Sequence, residues 1–308
     1  MKLSVIIPAR NEEKNLSSTL SEIKQLISGI MFINDFEIIV VDDHSSDDTF
    51  KLIRGMNEGC ISAIRLSKQS GSHNALRAGL SICRGDAALC ISADGQDDPM
   101  ILPEMLDLLN KNYEVVWAHR KHDGKFSSLN IFRLFFYFIL KICTKHSSVD
   151  PATADYFLIG RKMINSINSC DERNTSLFGL ITWLGFNQTS VYYERKDRRN
   201  GHSKWNFSSR LKLASDWIIS FSGIPLKIIT SLGFTTALIG LLYAIYIIIL
   251  GIMELTTPGW AETIIIVLVL GGIQMIMLGI TGEYIWRNLE ESRKRPFFIV
   301  EDSINIKR

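Results

Sequence analysis

From Leu3 to Ala118, short apolar runs alternate with segments in which apolar residues recur every three or four positions. Leu3–Pro8, Phe36–Val41, Ile61–Leu66, Ala87–Ser92 and Glu114–Ala118 are runs of five or six residues dominated by Val, Ile, Leu and Ala. Runs of that length and composition predict strands buried on both faces. Between them, Leu16, Leu20, Ile23 and Ile27 share one face of a helix expected to start at Asn11 or Glu12. Asn74–Cys83 predicts a second helix. Pro99–Leu109 predicts a third, with its proline in the first turn, where a missing N–H is harmless. The alternation predicts an α/β fold with a mostly parallel, Rossmann-like sheet and helices on both faces. Ligands bind such sheets beyond the carboxyl ends of the strands. Polar clusters follow three of these runs, at Ala9–Glu13, Asp42–Ser46 and Ala93–Asp98.

The pattern changes from Phe126 onward. Asn130–Cys143 is almost wholly apolar except for Arg133 and Lys141, and those cations with Lys145 fall on one side of a helix. It is too short to span a bilayer and predicts an interfacial helix. Ser203–Phe221 repeats the pattern with Trp205, Phe207, Leu211, Trp217, Ile218 and Phe221. Two uncharged runs follow, Ile228–Met253 and Thr263–Gly282, each long enough for a membrane helix, which needs about 20 apolar residues. Their connector, Glu254–Glu262, carries two acids and no Lys or Arg. Lys204, Arg210, Lys212 and Lys227 precede the pair, and Arg287, Arg293, Lys294 and Arg295 follow it. The positive-inside rule then predicts both ends in the cytoplasm, with a multi-pass anchor in a bacterial inner membrane. Four parts are expected: an α/β core over residues 1–125, a part with interfacial helices over 126–222, a two-helix transmembrane hairpin over 223–287 and a cytoplasmic tail over 288–308.

Composition narrows the partners. The 308 residues are 46% hydrophobic and 21% charged, enough for one sizeable core plus an anchor, and a net charge of +2 argues against nucleic acid. The basic residues cluster at Lys121–Lys145 and Arg195–Lys212, which suits an anionic membrane face or a phosphate-bearing substrate. Cys60, Cys83, Cys90, Cys143 and Cys170 form no C-x-x-C pair, a distribution that fits a reducing compartment. His44 and His73 read as turn and surface residues, and Trp183 and Trp205 as packing or interface anchors.

The acidic turn Asp94-Gly95-Gln96-Asp97-Asp98 is the strongest chemical signal. Carboxylate and amide oxygens at a strand end offer a hard-oxygen site for Mg²⁺ or Mn²⁺, which keeps waters and substrate phosphates as further ligands. Asp42-Asp43 ends another strand of the same sheet, so both acidic turns are expected to face one crevice.

Three stretches carry a resemblance: Val5-Ile6-Ile7-Pro8-Ala9-Arg10-Asn11-Glu12-Glu13, Val40-Val41-Asp42-Asp43-His44-Ser45 and Ser92-Ala93-Asp94-Gly95-Gln96-Asp97. In order and spacing they resemble glycosyltransferase family 2, with its GT-A fold. Ala154–Arg161 and Arg198–Trp205, with the two-helix tail, resemble its polyprenyl-phosphate branch, which includes dolichyl-phosphate mannose synthases and bacterial undecaprenyl-phosphate sugar transferases. The resemblance implies that Pro8, Arg10 and Glu12, with Asp42 or Asp43, line the nucleotide pocket. Asp94 and Gln96 are implied to hold the metal on the donor diphosphate. Arg120, Arg133, Arg198, Ser203 and Lys204 are implied to gather the acceptor phosphate, and Asp155 to stand near the reacting centre as either base or positioning group. Many relatives have Asp where this chain has Ser92, so Asp97 stands as a further candidate ligand.

The implied reaction is inverting transfer of one sugar from a nucleotide sugar, UDP-glucose being one example and UDP preferred over GDP, to polyprenyl (undecaprenyl) phosphate. Its product would serve envelope glycan modification of the lipopolysaccharide or O-antigen kind. Relatives with this tail assemble through it, which implies a homo-oligomer such as a tetramer. Two other readings compete: a processive polysaccharide synthase, disfavoured because no Q-x-x-R-W motif is present, and a non-catalytic membrane accessory protein.

Overall fold

The computed structural model describes residues 1–56, 58–121, 154–172, 175–194, 224–253 and 259–306, and only the backbone of Asp155. It divides into two compact units, one of residues 1–214 and 296–308, the other of residues 215–295.

The first unit is an α/β fold, as the alternating pattern predicts. Its strands are β1 (Lys2–Ala9), β2 (Asp35–Asp42), β3 (Ile61–Leu66), β4 (Ala87–Cys90), β5 (Val115–Arg120), β6 (Ala154–Gly160), β7 (Gln188–Tyr193) and β8 (Val300–Ile304). They form one sheet in the order β7-β5-β6-β4-β1-β2-β3-β8. The pairs β1/β2, β1/β4, β2/β3 and β5/β7 are parallel. The pairs β4/β6, β5/β6 and β3/β8 are antiparallel. The helices are α1 (Leu16–Ser28), α2 (Thr49–Gly55), α3 (Ser72–Ile82), α4 (Leu102–Asn110), α5 (Arg161–Asn168) and α6 (Leu177–Trp183).

The core follows the apolar runs. Leu3, Val5, Ile7, Ile38, Val40, Ala87 and Leu89 from the central strands are fully buried, and Leu16, Leu20, Ile23 and Ile27 seal one side of them from α1. Helix α1 starts at Leu16, later than the pattern suggests, because Asn11 adopts φ 52° and breaks the helical path. The direction of β6 matters most for the site. Since it runs against β4 and β5, its N-terminal residues arrive at the edge where those neighbours end.

The second unit consists of α7 (Ile224–Ile252) and α8 (Trp260–Ser292). Leu226–Leu250 and Val269–Ser292 are long and apolar enough to cross a membrane, and neither is buried by other described residues. Leu238, Leu241, Ile248, Val267 and Leu278 all stand exposed. Such exposed apolar surface is suited to a membrane, which both helices are long enough to cross. The two interfacial segments predicted from sequence, Asn130–Cys143 and Ser203–Phe221, lie outside the described residues.

Candidate active site

The carboxyl ends of β1, β2 and β4 gather the polar clusters on one edge, as the sheet rule predicts. Ala9 and Asp42 are register partners, and the Asp43 N–H donates to the Ala9 carbonyl at 2.9 Å. Asn11 and His44 follow these strand ends with φ 52° and 56°. Asn and His accept that conformation more readily than bulkier residues. The two loops then interlock: the Asn11 N–H donates to Ser45 Oγ at 2.9 Å, and the Ser46 N–H donates to Asn11 Oδ1 at 2.8 Å. Glu12 is buried beside them, receiving the Asn15 side-chain amide at 2.7 Å, while its own N–H donates to Thr49 Oγ1 at 3.0 Å. Pro8 and Arg10 flank this junction, both half-buried.

Asp42 and Asp43, interchangeable in the sequence reading, separate in the structure. Asp43 accepts the N–H groups of Ser70 and Gly71 at 2.6 and 2.9 Å, so both of its oxygens hold the turn that opens α3. Gly71 has φ 88°, which a side chain would strain. Asp42 is fully buried; its Oδ1 accepts from the Ser45 N–H and hydroxyl. Its Oδ2, also buried, has no hydrogen-bond partner among the described residues, with Arg65 Nη1 3.4 Å away. Burial raises the Asp42 pKa, partly offset by the Ser45 bonds and by Arg65. A cavity of about 380 Å³ opens beside this end of β2, bordered by His44, Asp47, Lys51 and Arg65; Asp94 and Gln96 do not line it.

The acidic turn is organised by the residue that departs from the family pattern. Ser92 Oγ lies 2.8 Å from Asp94 Oδ1 and 2.5 Å from Asp97 Oδ2, and the Ser92 N–H donates to Asp97 Oδ2 at 3.1 Å. The Tyr193 hydroxyl donates to Asp97 Oδ1 at 3.0 Å. Both oxygens of Asp97 therefore accept hydrogen bonds from the surrounding fold. The Gln96 N–H donates to Asp94 Oδ1 at 3.1 Å, an arrangement that Gly95 permits by adopting φ 71°. Both hydrogen bonds at Asp94 fall on Oδ1, and none reaches Oδ2 from the described residues.

No three His, Cys, Asp or Glu side chains converge to hold a metal among the described residues. One open carboxylate with a neighbouring amide is not an all-protein cage. It does fit a hard cation that arrives with substrate phosphates, the usual coordination of Mg²⁺ and its relatives. Asp94 and Gln96 would hold such an ion.

Two further predicted residues reach the same edge. The last pair of the β4/β6 ladder is Cys90 with Phe157, so the backbone of Asp155 lies two residues beyond it, toward the same edge. Against β5, the pairing steps from Tyr156 to Ala154, which leaves Asp155 in the extra position of a bulge. Arg120 closes β5 in register with Tyr193, the residue that holds Asp97. Arg133, Arg198, Ser203 and Lys204 lie outside the described residues.

Sequence reasoning missed Tyr193, Arg65 and the whole of β8. His73 is half-buried; its ring packs edge-on against Phe178 and its Nδ1 accepts the Leu177 N–H at 3.2 Å. Desolvation pulls the His73 pKa down to about 4.

The acidic turns follow β2 and β4, the two strands that flank β1, and so share one end of the sheet. The chain belongs to glycosyltransferase family 2: residues 4–167 match the Glycosyl transferase family 2 domain, and it is a glycosyltransferase of the polyprenyl-phosphate branch. It is 35% identical over 306 residues to an uncharacterized glycosyltransferase of Synechocystis sp., covering 98% of this chain and 95% of the relative. It is 30% identical over 312 residues to the bactoprenol glucosyl transferase of Shigella phage SfV, covering 98% and 99%. The glucosyl-3-phosphoglycerate synthase of Mycobacterium tuberculosis, solved with Mn²⁺, UDP-glucose and phosphoglyceric acid, superposes with a TM-score of 0.50 over 70% of this chain and 78% of that one, at 17% identity. That likeness establishes the GT-A fold.

Proposed function

We propose that the chain transfers a single glucose from UDP-glucose to polyprenyl phosphate of the undecaprenyl type, at the cytoplasmic face of a bacterial inner membrane. The observation that carries this reading is the end-to-end similarity to a bactoprenol glucosyl transferase, candidate spans included. The lipid-linked monosaccharide then supplies envelope glycan modification, such as that of lipopolysaccharide O-antigen.

In this reading residues 1–125 bind the donor, 126–222 bind the acceptor, 223–287 anchor the enzyme and 288–308 return to the cytoplasm. Pro8, Arg10 and Glu12 shape the base and ribose pocket. Asp42 offers its unbonded Oδ2 to a base N–H, while Asp43 fixes the Ser70-Gly71 turn. Asp94 and Gln96 hold the divalent ion, Mg²⁺ or Mn²⁺, which supplies electrostatic stabilisation of charge on the departing diphosphate. Arg120, with Arg133, Arg198, Ser203 and Lys204, draws the acceptor phosphate in and offsets its repulsion from the donor.

The acceptor needs little activation, because the second pKa of a phosphate monoester is about 6 and its oxygen is already ionised at neutral pH. That oxygen attacks the anomeric carbon as the bond to the diphosphate breaks. The bonding electrons leave with the diphosphate oxygen, and the configuration inverts. Asp155 acts beside this centre chiefly by orienting the reacting groups, since a strong base is not required.

The test is to incubate full-length protein in vesicles with radiolabelled UDP-glucose, GDP-mannose or UDP-N-acetylglucosamine and undecaprenyl phosphate. A lipid-linked glucose from UDP-glucose alone is the expected product. A polymer would move the chain to the processive synthases, and no product from any donor would favour an accessory role.

A further inference from the structure

The C-terminal strand does more than complete the sheet. β8 follows the second candidate span in sequence and pairs antiparallel with β3, on the edge next to the strand that ends in Asp42. Its register steps from Arg65↔Asp302 to Leu66↔Val300, so Glu301 occupies the extra position of a bulge. A bulged residue escapes strict alternation and can be aimed where the ladder would not send it.

Glu301 is aimed at Arg65. Its Oε2 accepts from Arg65 Nε at 3.1 Å, and His44 Nδ1 lies 3.7 Å from the same oxygen. The guanidinium is held at two further points: Nη2 donates to the Ser45 carbonyl at 3.1 Å, and the Phe50 ring lies beneath, 5.6 Å from its central carbon. The remaining nitrogen, Nη1, stands 3.4 Å from Asp42 Oδ2, close enough to favour the ionised carboxylate yet poorly placed to occupy it. Arg65 has a fixed planar fork, so anchoring Nε and Nη2 also decides where Nη1 points.

We infer that Glu301 is a positioning residue of the donor site: by fixing Arg65 it decides whether the second oxygen of Asp42 is left for the nucleotide base. The inference rests on the proposed donor role of Asp42 and extends it to a residue 259 positions away in sequence, on the far side of the membrane anchor. Without the Glu301 carboxylate, Arg65 is drawn onto Asp42 and fills the acceptor that the base requires.

The experiment uses the full-length protein in detergent, UDP titrated calorimetrically with Mn²⁺ present, and steady-state transfer from UDP-glucose. Glu301→Gln is expected to raise the UDP Kd and the donor KM together, roughly fivefold, the low end of coupling between linked sites, with kcat unchanged. Asp302→Asn removes the neighbouring pair with Arg54 from the same strand and is expected to leave both constants alone. In an Asp42→Asn background, Glu301→Gln is expected to have no further effect. If Asp42→Asn weakens UDP binding but Glu301→Gln does not, the positioning role is overturned and the donor reading stands. Equal losses from Glu301→Gln and Asp302→Asn also overturn it, because strand docking alone would then explain both. If Asp42→Asn leaves UDP binding intact, the base contact fails and the inference fails with it. Should circular dichroism show Glu301→Gln unfolded, Glu301→Asp, which keeps the charge on a shorter arm, is expected to give a smaller rise in the same direction, and no rise overturns the proposal.

Discussion

The Tyr193 hydroxyl donates to Asp97 Oδ1 at 3.0 Å, joining the last residue of β7 to the acidic turn beyond β4, ninety-six positions earlier in the chain. This contact and the Ser92 hydroxyl at 2.5 Å from Oδ2 hold Asp97 in a buried position. The same Ser92 hydroxyl lies 2.8 Å from Asp94 Oδ1, so the contacts of Asp97 and Asp94 meet at one side chain.

Tyr193→Phe removes one donor to a buried carboxylate. The expected loss is about 1.5–3 kcal/mol of unfolding free energy, the usual worth of a hydrogen bond to a charged group. Urea unfolding of the purified protein measures it. A stability equal to wild type would show that the bond is not needed to hold the turn.

Ser92→Asp would place a third carboxylate within reach of Asp94 and Asp97, where the native hydroxyl acts as a donor. Like charges at that spacing repel unless a cation intervenes. The variant is expected to melt lower than wild type in chelator, and to gain more in melting temperature from Mn²⁺. Thermal unfolding with and without Mn²⁺ decides it; identical metal-induced shifts for both proteins would contradict the arrangement.

Much of this site was legible in the sequence, for physical reasons that differ residue by residue. Ile6 and Val40 announce buried strands because a parallel sheet covered on both faces needs unbroken apolar runs. Asp42 and Asp94 stand out together, because two acidic turns at strand ends of one parallel sheet open toward the same end of it. The antiparallel direction of β6 could not be read, since pairing with β4 and β5 is set by contacts distant in sequence. β8 was passed over because Val300-Glu301-Asp302-Ser303-Ile304 lies at an edge, where polar side chains are favoured and the apolar signal fades. The distinction between Asp42 and Asp43 came entirely from tertiary partners, the Ser70-Gly71 turn in one case and Arg65 in the other.

His73 provides a pH signature. Its folded pKa of about 4 lies below the ordinary 6.5, so between these values the unfolded chain binds a proton that the folded one excludes. The contribution to stability is thus complete above pH 6.5 and is lost as pH falls toward 4. His73→Gln is expected to flatten the decline of unfolding free energy across this window. Denaturant titrations at a series of pH values measure it, and an unchanged slope in the variant would assign the decline to other groups.

The central claim is that Asp94 presents a metal-bound donor to a lipid phosphate. Its most direct test is organic-extractable radioactivity formed from labelled UDP-glucose by wild type and Asp94→Asn in the same undecaprenyl-phosphate vesicles, with Mn²⁺. The Asn variant keeps an oxygen to accept from Ser92 and Gln96 and is expected to fold and remain in the membrane. Wild type is predicted to label the lipid, and the variant to do so roughly 10²-fold more slowly, the scale of losing one electrostatic element at a reacting centre. Equal labelling by the two proteins, or labelling that does not depend on undecaprenyl phosphate, would contradict the account.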